Sequence, residues 1–247
     1  MAQSSTTIKQ AGKYACLLLD ETFKAIIVKP QQEKLVRGII ELLTGKHLSS
    51  ITFPNKEQHG LVVSEKNVTF DLLCRDEDTK EEFIVELQYS GHPSYRDRML
   101  SYATYPIREQ LTEKLAQRLD QDEHVDKMDY SLRPVYVIGL INFKLPHDSD
   151  NALDDSGLIS RYAIRNDLNG ELMTEALHFV YLEMDRLPYK ADEAHKCQTL
   201  LEKFVFSMKY IHLLKARPLT FEEDLLHLLY RATELGSMTV SEREEYD

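Results

Sequence analysis

Apolar and polar positions recur along the chain with two different periods, and each change of period marks an element. "DETFKAIIV" places Phe23, Ile26 and Ile27 on one helical face, with Asp20 in position to cap the start. Lys29-Pro30 ends that run. "QQEKLVRGIIELLTGKHL" then carries a broad stripe of Leu35, Val36, Ile39, Ile40, Leu42 and Leu43, with Gly45 as a stop signal. Ile51 to Gly60 reads as loop, and "HGLVVSEK" as an edge strand. In "NVTFDLLCRDEDTKEEFIVELQYS" the period falls to two on both sides of a polar turn, which predicts an antiparallel hairpin.

"HPSYRDRMLSYATYPIREQLTEKLAQRL" predicts one long helix or two meeting near Pro106. "RPVYVIGLINFKL" is the apolar, β-prone run of a strand covered on both faces. "ISRYAIRND" and "ALHFVYLEM", parted by "LNGE", predict a second hairpin. Two helices complete the pattern, "AHKCQTLLEKFVFSMKYIHLL" and "TFEEDLLHLLYRATEL", the second started by Thr220; the tail "SEREEYD" reads as frayed. The expectation is an α/β fold in a single domain over 1–247, with a core over 12–190 and a helical C-terminal elaboration over 191–240.

Composition narrows the functional classes. Hydrophobic residues at 43% and charged residues at 29% describe an ordinary globular chain. The longest apolar stretch, Pro134 to Leu145, is too short for a bilayer, and the N-terminus has no basic region leading an apolar core, so a cytoplasmic protein without a membrane partner is expected. Cys16, Cys74 and Cys197 lack CxxC spacing, and His92, His178 and His195 lack paired-ligand spacing, which speaks against a disulfide framework or a zinc site. The net charge of −11 disfavours avid non-specific DNA binding but leaves room for a local basic strip and for metal cations.

The first hairpin carries the candidate chemistry. Alternation sets Ile84, Glu86 and Gln88 on one face of their strand and Phe83, Val85 and Leu87 on the other. If the turn closes near Arg75 and Glu82, Asp71 falls opposite Glu86 or one residue away, and two carboxylates meet. Such a pair is costly to bury unless one takes a proton or a cation sits between them. Mg²⁺ suits two carboxylates, with the Leu87 carbonyl as a backbone ligand and Gln88 placed to position a water. Spacing alone leaves the second reading open, two solvated acids on an exposed sheet face.

Phe70-Asp71, the polar turn and "VELQ" at Val85 to Gln88 resemble the PD-(D/E)XK nuclease superfamily. They are closest to its Rpn branch of recombination-promoting nucleases and transposases, in which Gln replaces the terminal Lys. "DETFKAII" resembles that branch's DxxFK element, "YRDRMLSYATY" its Arg/Tyr-rich helix and "LRPVYVIGLINFKL" its buried strand, so the likeness runs from about Asp20 to Leu145 and more loosely over Leu158 to Leu187. The resemblance implies a restriction-endonuclease-like core, a mixed central sheet flanked by helices. It also implies a DNA endonuclease using Mg²⁺, with Mn²⁺ as the alternative ion, in which Asp71 and Glu86 are ligands and Gln88 takes the Lys position. Phe70 stands where the superfamily name has Pro.

A third acid in this superfamily often comes from an early helix. Glu33, at the edge of the apolar stripe, is the first candidate and Asp20 the second. Arg98, Tyr102 and Tyr105 share a helical face after the ExQ strand and would either hold a phosphate or pack as core with an Arg at the rim. Lys24 and Arg96 would extend a basic DNA-binding rim or stand as solvated charges. Three functions compete: the endonuclease, working as a homodimer where both strands are cut; a non-catalytic interaction or regulatory module on the same fold; and a phosphodiesterase acting on RNA or nucleotides.

Overall fold

The computed structural model describes residues 12–54, 70–120, 129–149 and 152–235. The expected edge strand in "HGLVVSEK" and the tail lie outside the described residues. Helix α1 spans Asp20–Ile27 and α2 spans Glu33–Thr44, and both bury the stripe their sequences predict except Leu42, which is only partly buried. Gly45 ends α2 with φ 72°, the left-handed conformation that glycine adopts without a Cβ penalty, and its N–H closes on the Glu41 carbonyl.

Six strands form one mixed sheet in the order β1-β2-β3-β4-β6-β5. They are β1 Ile51–Thr52, β2 Leu72–Asp76, β3 Glu82–Gln88, β4 Val135–Ile141, β5 Ile159–Ala163 and β6 Leu177–Glu183. β2 pairs antiparallel with β1 and β3, β4 lies parallel between β3 and β6, and β5 closes the far edge antiparallel to β6. The parallel step from β3 to β4 is bridged by α3, Tyr95–Asp120, a single helix that runs through Pro106. Every residue of β4 is buried, as its unbroken apolar sequence predicts for a strand covered on both faces.

Helices cover the sheet on both sides. Phe83, Val85 and Leu87 face a core shared with α1, α2, α4 (Leu200–Tyr210) and α5 (Asp224–Ala232). Ile84 faces the other, smaller core, built with Tyr95, Met99 and Ala103 of α3. Gly139 lets α3 sit this close: a Cβ there would collide with the Tyr95 hydroxyl and stand 2.8 Å from Tyr181 Cδ1.

Three local expectations are corrected. Asp20 does not cap α1; Leu19 holds that position without a side-chain bond, and the Asp20 carboxylate goes to Lys24 instead. α5 starts at Asp224 after Glu223, not at Thr220. Ile51 and Thr52, read as loop, form the edge strand β1 on Asp76 and Arg75. Asp76 is the reason, because its carboxylate accepts bonds from Ser49 and Thr79 and so pins both the approach to β1 and the hairpin turn.

Candidate functional site

The hairpin register brings the two acids of the sequence pattern together. Leu72 pairs with Val85 and Arg75 with Glu82, which sets Asp71, just before β2, across from Glu86. Asp71 is 3% exposed and Glu86 7%, so the solvated reading does not hold. Each acid is tied to the other's strand: the Leu87 N–H donates to Asp71 Oδ2 at 2.7 Å, and the Asp71 N–H donates to Glu86 Oε2 at 3.2 Å.

Two buried anions in contact share too few compensating donors, and their acidity records it. Burial, then the neighbouring Asp71 charge, push Glu86 up to about 7. Burial also raises Asp71, against the opposing pull of Lys24 and the Leu87 N–H. The positive charge that meets them comes from α1. Lys24 Nζ lies 2.8 Å from Asp71 Oδ1 and 2.8 Å from Asp20 Oδ2. Partial burial opposes its charge, but the bonds to the two aspartates outweigh that and hold its pKa above the ordinary lysine value.

α3 supplies the second cation. Arg98 Nη2 donates to Gln88 Oε1 and stands 3.6 Å from Glu86 Oε1, while its guanidinium lies over the rings of Tyr95 and Tyr102. The Gln88 amide donates onward to the Ser90 carbonyl at 3.0 Å. Arg98 Nε and the Tyr95 hydroxyl are both buried without a hydrogen-bond partner, which leaves donors beside the pair for a further acceptor.

The remaining candidates divide by position. Tyr102 and Tyr105 pack edge-on against Phe70, at 5.8 and 5.4 Å between centroids, and so shape the wall of the site. Asp20 is brought to the pair through Lys24. Glu33 is not: it accepts the Ile51 N–H and pairs with Arg37, and Ile51 sits at the Asp76 end of β2. Arg96 points along a different line, donating to the Pro146 carbonyl and the Tyr162 hydroxyl. Lys24 as the counter-ion of Asp71 went unread in the sequence. Its spacing of four from Asp20 is compatible with a helical pair that was not read either, and the contact with Asp71 spans 47 residues and depends on tertiary packing.

A family model described as PD-(D/E)XK nuclease family transposase matches residues 17–247. The chain belongs to that family. No curated protein and no solved structure matches it. The mixed sheet with helices on both faces agrees with the restriction-endonuclease-like fold of PD-(D/E)XK proteins. Family membership suggests a nuclease or transposase function, with DNA as substrate and divalent metal as the general cofactor. Among the described residues, no helix is long and apolar enough to cross a membrane.

Among the described residues no group of three or more His, Cys, Asp or Glu is disposed around a metal position. The Asp71–Glu86 pair nevertheless fits a hard divalent ion, since its donors are carboxylate oxygens and Glu86 is short of positive charge. Lys24 now occupies one of the oxygens such an ion would use.

Proposed function

We propose that this PD-(D/E)XK chain is a DNA endonuclease of the recombination-promoting type, dependent on Mg²⁺ or Mn²⁺ and active in the cytoplasm. The observation that carries the reading is the buried, apposed Asp71–Glu86 pair at the end of β3, with Glu86 pushed up to about 7. Asp71 and Glu86 would hold the ion, with the Leu87 carbonyl as the backbone ligand and Asp20 as the nearest further acid. A bound cation would polarise the phosphodiester and lower the pKa of a water.

The other residues act on substrate and water. Lys24, which stays protonated, is a point charge and not a base. Released from Asp71, it would offset charge developing on a phosphate and so replace the lysine that Gln88 lacks. Arg98 fixes the Gln88 side chain and presents its remaining guanidinium donors toward a phosphate. Gln88, held at both ends, orients the attacking water. Cutting both strands would use two such sites and hence a homodimer.

The test is calorimetric titration of Mg²⁺ and Mn²⁺ into wild type and Asp71→Ala, with plasmid nicking on the same samples. Binding and nicking are both expected in wild type and absent from the variant. The second reading, an interaction module on the nuclease fold, draws on Lys24 already neutralising Asp71. A wild-type protein that binds neither ion and leaves plasmid intact would establish that reading instead.

A further inference from the structure

On the face of the sheet opposite the carboxylate pair, three neighbouring strands place a ring at the same level. Phe83 of β3 pairs with Tyr136 of β4, Tyr136 with His178 of β6, and His178 with Ala163 of β5. The rings form a stack. Phe83 and Tyr136 lie 5.2 Å apart at 16°, and Tyr136 and His178 lie 4.7 Å apart at 8°. Neighbouring strands are spaced by about 4.8 Å, so a flat ring seated over Ala163 would continue the stack on the outer face of His178. Ala163 fills that place with a methyl group only, on the strand at the sheet's edge.

A cavity of about 250 Å³ lies there, lined by Tyr136, His178 and Ala163 together with Lys46, Arg161 and Arg165, and no acidic residue lines it. Lys46 stands 4.9 Å above the Tyr136 ring and pairs with Glu81. Arg161 bonds the Leu43 carbonyl and stands 3.4 Å from Asp154. Arg165 bonds only the Gly170 carbonyl among the described residues, so no carboxylate neutralises it. His178 pairs with Glu175 through its ring edge, which leaves the ring face to stack. A planar ring beside uncompensated positive charge is the complement of a base joined to a phosphate.

We infer that the cavity over Ala163 binds a nucleotide, its base stacked on His178 and its phosphate held by Arg165 with Arg161. The same chemistry is offered by a free mononucleotide and by a phosphorylated end of single-stranded nucleic acid. This site is separate from the carboxylate pair. Glu86 is three residues along β3 from Phe83, about 10 Å, and faces the other way.

The test is equilibrium binding without divalent metal, so that cutting cannot intervene and the outcome does not depend on the endonuclease reading. The probes are adenosine 5′-monophosphate, adenosine, inorganic phosphate and a 5′-phosphorylated single-stranded oligonucleotide. The expected result is that the monophosphate binds more tightly than adenosine or phosphate. Ala163→Phe, which fills the cavity, and Arg165→Ala, which leaves the core untouched, should each weaken it by about tenfold or more. Far-UV circular dichroism checks that Ala163→Phe folds. Oligonucleotide binding lost in the same variants identifies a strand end as the source; binding of the monophosphate alone identifies a free nucleotide. Phosphate binding as tightly as the monophosphate, no binding of either nucleotide probe, or binding unchanged in both variants overturns the assignment.

Discussion

Glu86 and Glu183 are written alike in the sequence, each an acid near the end of a β-prone run, "VELQ" and "YLEM", and both are buried. Their surroundings differ. Glu183 receives the Leu145 N–H at 2.9 Å, Arg186 Nε at 2.6 Å, Ser160 Oγ at 3.1 Å and a contact with His147 Nε2 at 2.5 Å. Burial pushes its carboxyl up, but the bonds from Arg186, Leu145 and His147 outweigh that and hold it below the ordinary value. Glu86 receives one N–H at 3.2 Å and faces a second carboxylate, and it rises to about 7. Burial alone therefore does not set the acidity of a buried carboxyl; the count of donors does.

The comparison breaks first at Glu183. Replacing it by Ala removes the acceptor of the part-buried Arg186, of Ser160 and of the Leu145 N–H, and the expected loss is about 3 kcal/mol in urea unfolding. A loss below about 1 kcal/mol would mean that the donors find other partners and that Glu183 is not distinguished from Glu86 by them.

The pH dependence of the metal-free protein should show the two acids with opposite signs. Glu86 has a raised folded pKa, so its stabilising contribution is complete below its unfolded value near 4.5 and disappears as pH rises through about 7, an effect of up to roughly 3 kcal/mol. Glu183 has a depressed one, so its contribution is present above its unfolded value and is lost only as the solution becomes more acid. Chemical denaturation from about pH 2 to pH 8, repeated on Glu86→Gln, separates them, and the neutral-side slope should flatten in that variant. Metal affinity should climb over the same neutral range, because the ligands must be deprotonated.

Smaller effects sharpen the contrast. Lys24→Met removes the cation that competes for Asp71, so Mg²⁺ should bind several-fold tighter by calorimetry, with a stability change within about 1 kcal/mol because Lys24 is nearly half exposed to screening water. Unchanged affinity would show that Lys24 and the metal do not share an oxygen. Arg98→Ala should cost least in stability, under about 1 kcal/mol given its 3.6 Å separation from Glu86, while releasing Gln88. A nicking assay then reports whether that release matters.

Much of this was legible along the chain. Period-two alternation gave the faces of β3, and a turn closing near Arg75 and Glu82 left Asp71 opposite Glu86 or one residue away; the observed pairing puts it across from Glu86. What periodicity does not encode is position along a helix relative to the strands. Asp20 and Glu33 stand at the starts of α1 and α2, yet only Asp20 reaches the pair, through Lys24. Glu183 passed as an ordinary strand residue because its donors come from Leu145, His147, Ser160 and Arg186, mostly distant in sequence. The stack of Phe83, Tyr136 and His178 was equally hidden, since it exists only once β3, β4 and β6 are neighbours.

Gly139 is the ladder partner of Glu86 on β4, and it also acts as a spacer gauge for the whole site. A single methyl at that position would wedge Tyr95 outward, and Tyr95 begins the helix that delivers Arg98 to Gln88 one turn later. The reach of Arg98 is thus set by the absence of an atom on the strand that its helix covers. An alanine there would force Tyr95 and Tyr181 to shift before the guanidinium could keep its place.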